Sequence, residues 1–250
     1  MDPFSFAPIG ALLEGAYALV EGIASLLDPL TGGLSAALAI VALTAIVRTA
    51  LIPVGVSQVK AEWARRRIAP KLAALQRKHK GKPEVLQQKT MALYKAEKVS
   101  PFAGILPALL QAPVISLVYA LFIRTSIGDH SNALLGESLG GVTLGSSIFH
   151  AGWPGVLVFV ALFVVMAAVA WMTRRTTLRL AADQPELNPT MAQMQGVLSW
   201  LPFLTIVFAA IVPLAAALYL TTTTLWTLGE RAVLRRRYWR PVEGAAVATA

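Results

Sequence analysis

Arg48 lies inside LSAALAIVALTAIVRTALIPVGVS, Leu34 to Ser57, a stretch that is otherwise apolar and long enough to cross a bilayer. A charge at membrane depth is unfavourable by roughly 2.5 to 3.5 kcal/mol on insertion scales, so such a residue usually faces a polar cavity and marks function. At 1.5 Å per residue Arg48 sits about 21 Å beyond Leu34. Two roles fit that depth: a fixed cation in a groove that binds an acidic group, and an anchor whose long side chain snorkels to the near interface. Thr44, one turn earlier, and Gln111, in a second apolar stretch, supply polar groups at related depths and favour the groove. Tyr219 with Thr221, Thr222, Thr223 and Thr224 forms a polar strip in the last apolar stretch, although threonines can also bond back to their own helix.

Covalent chemistry has little to work with. The three histidines, His79, His130 and His150, all fall outside the apolar stretches, and there is no cysteine. A serine nucleophile at membrane depth has no histidine beside it, His-Glu-x-x-His is missing, and so is a Gly-x-x-x-x-Gly-Lys phosphate loop. The expectation is therefore a protein that is not an enzyme, with no catalytic residue, no cofactor and no metal, working on binding energy or the membrane potential.

The elements that position these residues follow from hydropathy. Of the 250 residues 56% are hydrophobic and 14% charged, and the mean hydropathy is +0.63, too apolar for an ordinary soluble domain. Runs of about 20 apolar residues, the length a hydrocarbon core needs, predict spans at 34–57, 102–123 and 154–172. The stretch from Gln195 to Leu228 is too long for one helix and contains Pro202 and Pro213, so it divides into spans at 195–211 and 213–229. The fold class expected is all-α: a polytopic membrane protein with a five-span core over 34–230.

Lys and Arg set the orientation. Twelve fall in 58–101, three in 173–195 and five in the tail 231–250, so 20 of 22 lie on one side of a five-span chain. The positive-inside rule makes that side cytoplasmic, with the N-terminus outside and the C-terminus inside. The net charge of +9 then reports topology first, and contact with anionic lipids or ribosomal RNA second; DNA is not an expected partner. Residues 1–30 hold Asp2, Glu14, Glu21 and Asp28 but no Lys or Arg, unlike a secretory signal or an Arg-rich transit peptide. A bacterial plasma membrane is the simplest address.

Segment 1–33 reads as an outer amphipathic helix, because Glu14 and Glu21, seven apart, share a face; a sixth span is the alternative. Residues 58–101 are rich in helix formers, with Ile68, Leu72 and Leu75 and then Leu86 and Leu93 at helical spacing around a His79-Lys80-Gly81-Lys82-Pro83 turn. This predicts a cytoplasmic antiparallel helical hairpin. The glycine- and serine-rich loop 124–153 gives no readable shape. No sequence repeat relates the two halves, which weakens an inverted-repeat transporter.

TAIVRTALIPVGVSQ, and the hairpin ending LQRKHKGKPEVLQQKTMALYKAEKVSPFAGILPALLQAPVISLVYALF, resemble the YidC family of membrane protein insertases, which includes mitochondrial and chloroplast relatives. The shared features are an arginine in the first core span, a basic hairpin turn, Leu-Tyr-Lys before a proline-glycine segment, and Leu-Pro-x-Leu-Leu-Gln-x-Pro. The resemblance is close over 34–123 and looser over 195–230. It implies a five-helix core around a hydrophilic groove open to the cytoplasm and the lipid and closed outside. Arg48 would be the groove arginine, with Thr44 and Gln111 lining it and Tyr219 matching a family tyrosine. The hairpin would receive nascent membrane proteins, alone or with the secretion channel. The basic tail, with Arg235, Arg236, Arg237 and Arg240, would touch the ribosome or lipid.

Leu220 stands where the family commonly has an aromatic residue, Thr223-Thr224 where it has Ser-Asn, and Ala215 where it has glycine. These departures suit a divergent member or a second copy. Outside the family reading, Arg48 also fits a transporter of an anionic solute, and the chain as a whole fits a scaffold for assembling membrane complexes.

Overall fold

The structure is a computed structural model that describes residues 7–100, 106–182 and 189–238. Arg240 and the rest of the tail from 239, the start of the second expected span at 102–105, and residues 183–188 lie outside the described residues. The protein is an all-α membrane protein. Ala7–Ala50, Trp153–Ala182 and Gln193–Ile211 are long and apolar enough to cross a membrane, and Gln111–Ile123 is apolar but shorter. The chain divides into two compact units, 1–51 with 111–174 and 200–228, and 52–110 with 175–199 and 229–250.

In the first unit, α1 (Ala7–Thr31) packs on α2 (Ser35–Ala50) through a turn of 3-10 helix at Gly32–Leu34. Leu13 and Val20 of α1, two turns apart, are buried, while Leu12, Leu19, Leu26 and Leu30 form an exposed apolar stripe. The acids occupy a third strip: the Glu14 carboxylate lies against Gly128, and Asp28 accepts from the Ser35 hydroxyl at 3.4 Å. Gly128 has φ +56 and no Cβ to collide with that carboxylate, so the close approach needs glycine.

The apolar run 34–57, expected as one span, changes helix at Leu51. Pro53 has no N–H to donate to the carbonyl of Thr49, and its ring crowds that carbonyl, so α2 closes at Ala50 and α3 (Ile52–Lys78) starts anew. Arg48 thus lies in the last turn of its helix, where a cation meets the negative end of the helix dipole.

The loop that the sequence left without a shape is built. It follows α5 (Leu106–Ile123) and forms two tight antiparallel hairpins, β1 (Ser126–Ile127) with β2 (His130–Ser131), and β3 (Ser138–Leu139) with β4 (Val142–Thr143). Ile127, Leu134, Val142 and Leu144 are buried in the same core as Leu43, Phe122 and Phe159. The Asn132 side-chain amide donates to the carbonyls of Leu121 at 2.8 Å and Arg124 at 2.9 Å, which closes the C-terminal end of α5. After the loop, α6 (Trp153–Ala182) is close to 45 Å long at about 1.5 Å per residue. Its Gly155 lets the Val142 side chain of β4 pack directly on the helix backbone.

The second unit contains the basic hairpin, α3 and α4 (Pro83–Ala96), with α7 (Pro189–Leu198). Gly81, at φ +86, makes the turn, and Pro83 opens α4 where no intrahelical N–H is needed. At the far end of the hairpin Glu97 accepts from Lys71 and, at 3.5 Å, from Arg67. The Lys71 hydrogen bond, more than either cation's charge alone, holds the Glu97 carboxyl below its usual range. The last two helices are α8 (Leu201–Ile211) and α9 (Leu214–Tyr238), and the chain breaks between them at Val212–Pro213.

Candidate functional site

Thr44 and Arg48 are one turn apart on α2 and therefore share a face. Both are buried, with relative exposures of 1% and 8%. The Thr44 hydroxyl donates to the carbonyl of Ile40 at 2.7 Å, so it is satisfied within its own helix. Arg48 is a buried guanidinium with five N–H donors, and the desolvation it suffers has to be offset by polar partners. Its charge acts on the hydroxyl of Tyr219, on α9. The Tyr219 ring, 4% exposed, packs on Phe122 of α5 with centroids 5.8 Å apart. Tyr219 of α9 thus lies within electrostatic reach of Arg48 on α2 and in ring contact with Phe122 of α5. Gln111, half-buried, lies eleven residues before Phe122 on α5, about 17 Å towards its other end.

The α9 strip separates into two kinds of threonine. Thr221, Thr222, Thr224 and Thr227 donate to the carbonyls of Ala217, Leu218, Thr221 and Thr223 at 2.8 to 2.9 Å. Their hydroxyls are already occupied. The Thr223 side chain approaches the Tyr219 hydroxyl short of hydrogen-bond geometry, and its oxygen is buried without a hydrogen-bond partner among the described residues. The same holds for the indole N–H of Trp226. Tyr219, Thr223 and Trp226 follow the i, i+4, i+7 spacing of one helical face. The sequence reading passed over Trp226; its spacing from Tyr219 was the available signal.

The loop 124–153 meets the start of α9. The first turn of α9 would leave its N–H groups without acceptors, but Leu214 donates to Ser146 and Ala215 to Leu144, both at 2.9 Å. Leu144 itself is fully buried, as are Leu214, Ala215, Ala216 and Ala217. The hairpin loop thus plugs the end where α9 begins.

In the second unit Arg235, expected as a ribosome or lipid contact, forms an ion pair within the protein. It donates to both carboxylate oxygens of Glu62 at 3.1 and 3.2 Å, and Glu62 also pairs with Arg66 at 3.8 Å. Arg66 in turn donates to the carbonyl of Leu180 at 2.7 Å, and the Lys60 ammonium lies 5.1 Å from the Tyr238 ring centre. Arg236 and Arg237 are exposed.

The family model described as 60Kd inner membrane protein matches residues 26–240, most of the chain. The chain belongs to the YidC family. It is similar to the membrane protein insertase YidC of Oceanobacillus iheyensis, 30% identical over 80% of this chain and 74% of that one. The insertase YidC of Clostridium perfringens is 35% identical over 46% of this chain and 48% of its own length. The inner membrane ALBINO3-like protein 2 of the Chlamydomonas reinhardtii chloroplast is 30% identical over 87% of this chain and 53% of its own length. The chain thus spans about half the length of two of these three relatives. Among the described residues no cluster of three His, Cys, Asp or Glu side chains could hold a metal ion.

Proposed function

We propose that this chain is a membrane protein insertase that receives the polar tail of a nascent membrane protein beside Arg48 and releases its apolar helix into lipid. The buried guanidinium of Arg48 carries the reading, set in a unit whose α9 end is plugged by the loop. A polar tail crossing a bilayer is opposed mainly by desolvation of its charges and backbone. A wet groove that reaches partway through shortens the dry path, and a fixed cation at its depth offsets part of the desolvation of an acidic side chain. Thr44, Gln111 and Tyr219 line that groove in this reading, with Thr223 and Trp226 added to it. Partition of the client's apolar helix into lipid then drives release, and no covalent step is needed.

The five-span core rests on hydropathy, and its orientation, with N-terminus outside and C-terminus in the cytoplasm of a bacterium, rests on the placement of Lys and Arg. In that orientation the membrane potential favours outward movement of an acidic tail by about 2.3 kcal/mol per charge per 100 mV. The hairpin of α3 and α4 receives clients, and ribosome, secretion channel and anionic lipids are the further partners. Arg236, Arg237 and Arg240 are the tail residues assigned to ribosome or lipid contact. Arg235 belongs to the same assigned set and also pairs with Glu62.

Depletion in cells, combined with photocrosslinkers at positions 48 and 111, tests the proposal. Insertion of a short acidic-tailed client should fall on depletion, and both positions should crosslink to ribosome-bound nascent chains. Unchanged insertion without crosslinks would overturn it, and uptake of a small anion by liposomes carrying the pure protein would favour a transporter.

A further inference from the structure

Arg174 is held differently from Arg66, Arg67 and Arg235. Arg66, Arg67 and Arg235 each pair with a carboxylate, whereas Arg174 has none within ion-pair distance among the described residues. Its guanidinium lies 4.2 Å from the ring centre of Trp200 and 5.9 Å from that of Trp171. Trp171 sits one turn earlier on α6, and Trp200 immediately precedes α8. The Arg174 Nε is buried beneath these rings and has no hydrogen-bond partner among the described residues. Stacking fixes the plane of the guanidinium and leaves its outer edge, a two-N–H fork, open for a planar or tetrahedral oxyanion.

The surroundings say where that anion comes from. Arg174 is the first charge after the apolar run of α6, which ends at Trp171 and Met172. Trp171 and Trp200 remain about half exposed, as do Met172, Leu201 and Leu204. Half-exposed tryptophans bordering an apolar span mark the headgroup level of a bilayer. The start of α8 has no side-chain cap, so its dipole adds positive potential at the same place. We propose that Arg174, stacked on Trp200 and flanked by Trp171, is a binding site for the phosphate of an anionic phospholipid at the rim of α6 and α8. The acyl chains would lie along Met172, Leu201 and Leu204. This site is independent of the Arg48 groove and of the insertase reading.

The full-length protein can be tested by native mass spectrometry after exchange into micelles doped with phosphatidylglycerol or phosphatidylcholine. The wild type should retain phosphatidylglycerol in preference to phosphatidylcholine. Arg174→Gln should reduce that retention about tenfold, the fold-change that one charge-assisted contact supports. Arg174→Lys should fall between the two, because it keeps the charge but not the stacked fork. Arg179→Gln, one helical turn and more beyond, should match the wild type. A thermal melt of each variant in the same micelles identifies any loss of fold, and Arg174→Lys keeps the test decisive if Arg174→Gln unfolds. Equal retention by wild type and Arg174→Gln, or equal retention of the two lipids by the wild type, would overturn the proposal. Displacement of the lipid by millimolar inorganic phosphate would also overturn it, in favour of a free-phosphate site.

Discussion

Replacing Arg48 by alanine should slow clients in proportion to the acidity of their tails. Two unit charges 4 Å apart attract by about 1 kcal/mol in bulk water and about 4 kcal/mol at an effective dielectric of 20. Arg48 is 8% exposed, which places the pair near the second figure, whereas a water-filled groove pulls it towards the first. The loss expected for a tail bearing one aspartate is therefore between about 1 and 4 kcal/mol, from fivefold to several hundredfold in rate at about 1.4 kcal/mol per tenfold. The assay is the initial rate of insertion of a one-span client into proteoliposomes, with paired tails that differ only by Asp or Asn. Arg48→Ala should slow the Asp tail at least about fivefold and the Asn tail less than about twofold. Arg48→Lys should recover most of the Asp rate, because it keeps the charge and loses only the planar fork. The same slowing of both tails, or a lysine variant as poor as the alanine one, would refute a charge-pairing role.

Glu62→Gln and Arg235→Gln should each lower the melting temperature of the detergent-solubilised protein modestly. A double-mutant cycle should give a coupling of about 0.5 to 1 kcal/mol, since the pair is partly exposed; additive effects would mean that the bridge is incidental. Glu97 has a lowered carboxyl pKa, so its clamp on Lys71 and Arg67 is fully present above the ordinary carboxylate pKa of 4.5 and is lost as pH falls through the lower folded value. Limited proteolysis of the α3–α4 hairpin should therefore accelerate on acidification below that range, and Glu97→Gln should abolish the pH dependence. Asn132→Ala removes both side-chain donors to the end of α5 and should destabilise the protein by about 1 to 3 kcal/mol in chemical denaturation. An unchanged midpoint would show that water replaces the cap.

Hydropathy and charge made the α-helical membrane class legible, because a lipid-facing helix needs a long apolar run whatever it packs against. The hairpin turn was legible for a different reason: Gly81 and Pro83 impose local backbone geometry that no distant contact needs to supply. Arg48 and Thr44 could be assigned to one face from spacing alone. The break at Leu51 was harder, since Pro53 ends α2 within an apolar run whose hydropathy does not change. The loop 124–153 was opaque because its order rests on long-range bonds, such as those from Leu214 and Ala215 to its carbonyls, which leave no periodicity behind.

The α9 strip shows why a polar residue type identifies a surface less well than the state of its donors. Thr221, Thr222 and Thr224 look equivalent to Thr223 in sequence, yet their hydroxyls are spent on helix carbonyls. A client passing α9 would meet mostly methyl groups there, with polar demand concentrated at Thr223 and the Trp226 indole. That arrangement differs from a row of open hydroxyls: under the proposed function an apolar segment would slide past it, and the two buried polar atoms would hold a backbone carbonyl only where a client displaces the side chains that cover them. Trp226→Phe keeps the ring and deletes only the N–H, so it separates the two effects. If the donor holds translocating backbone, crosslinks from position 48 to arrested nascent chains should weaken in Trp226→Phe while the melting temperature stays unchanged. Undiminished crosslinking would assign the indole to packing alone.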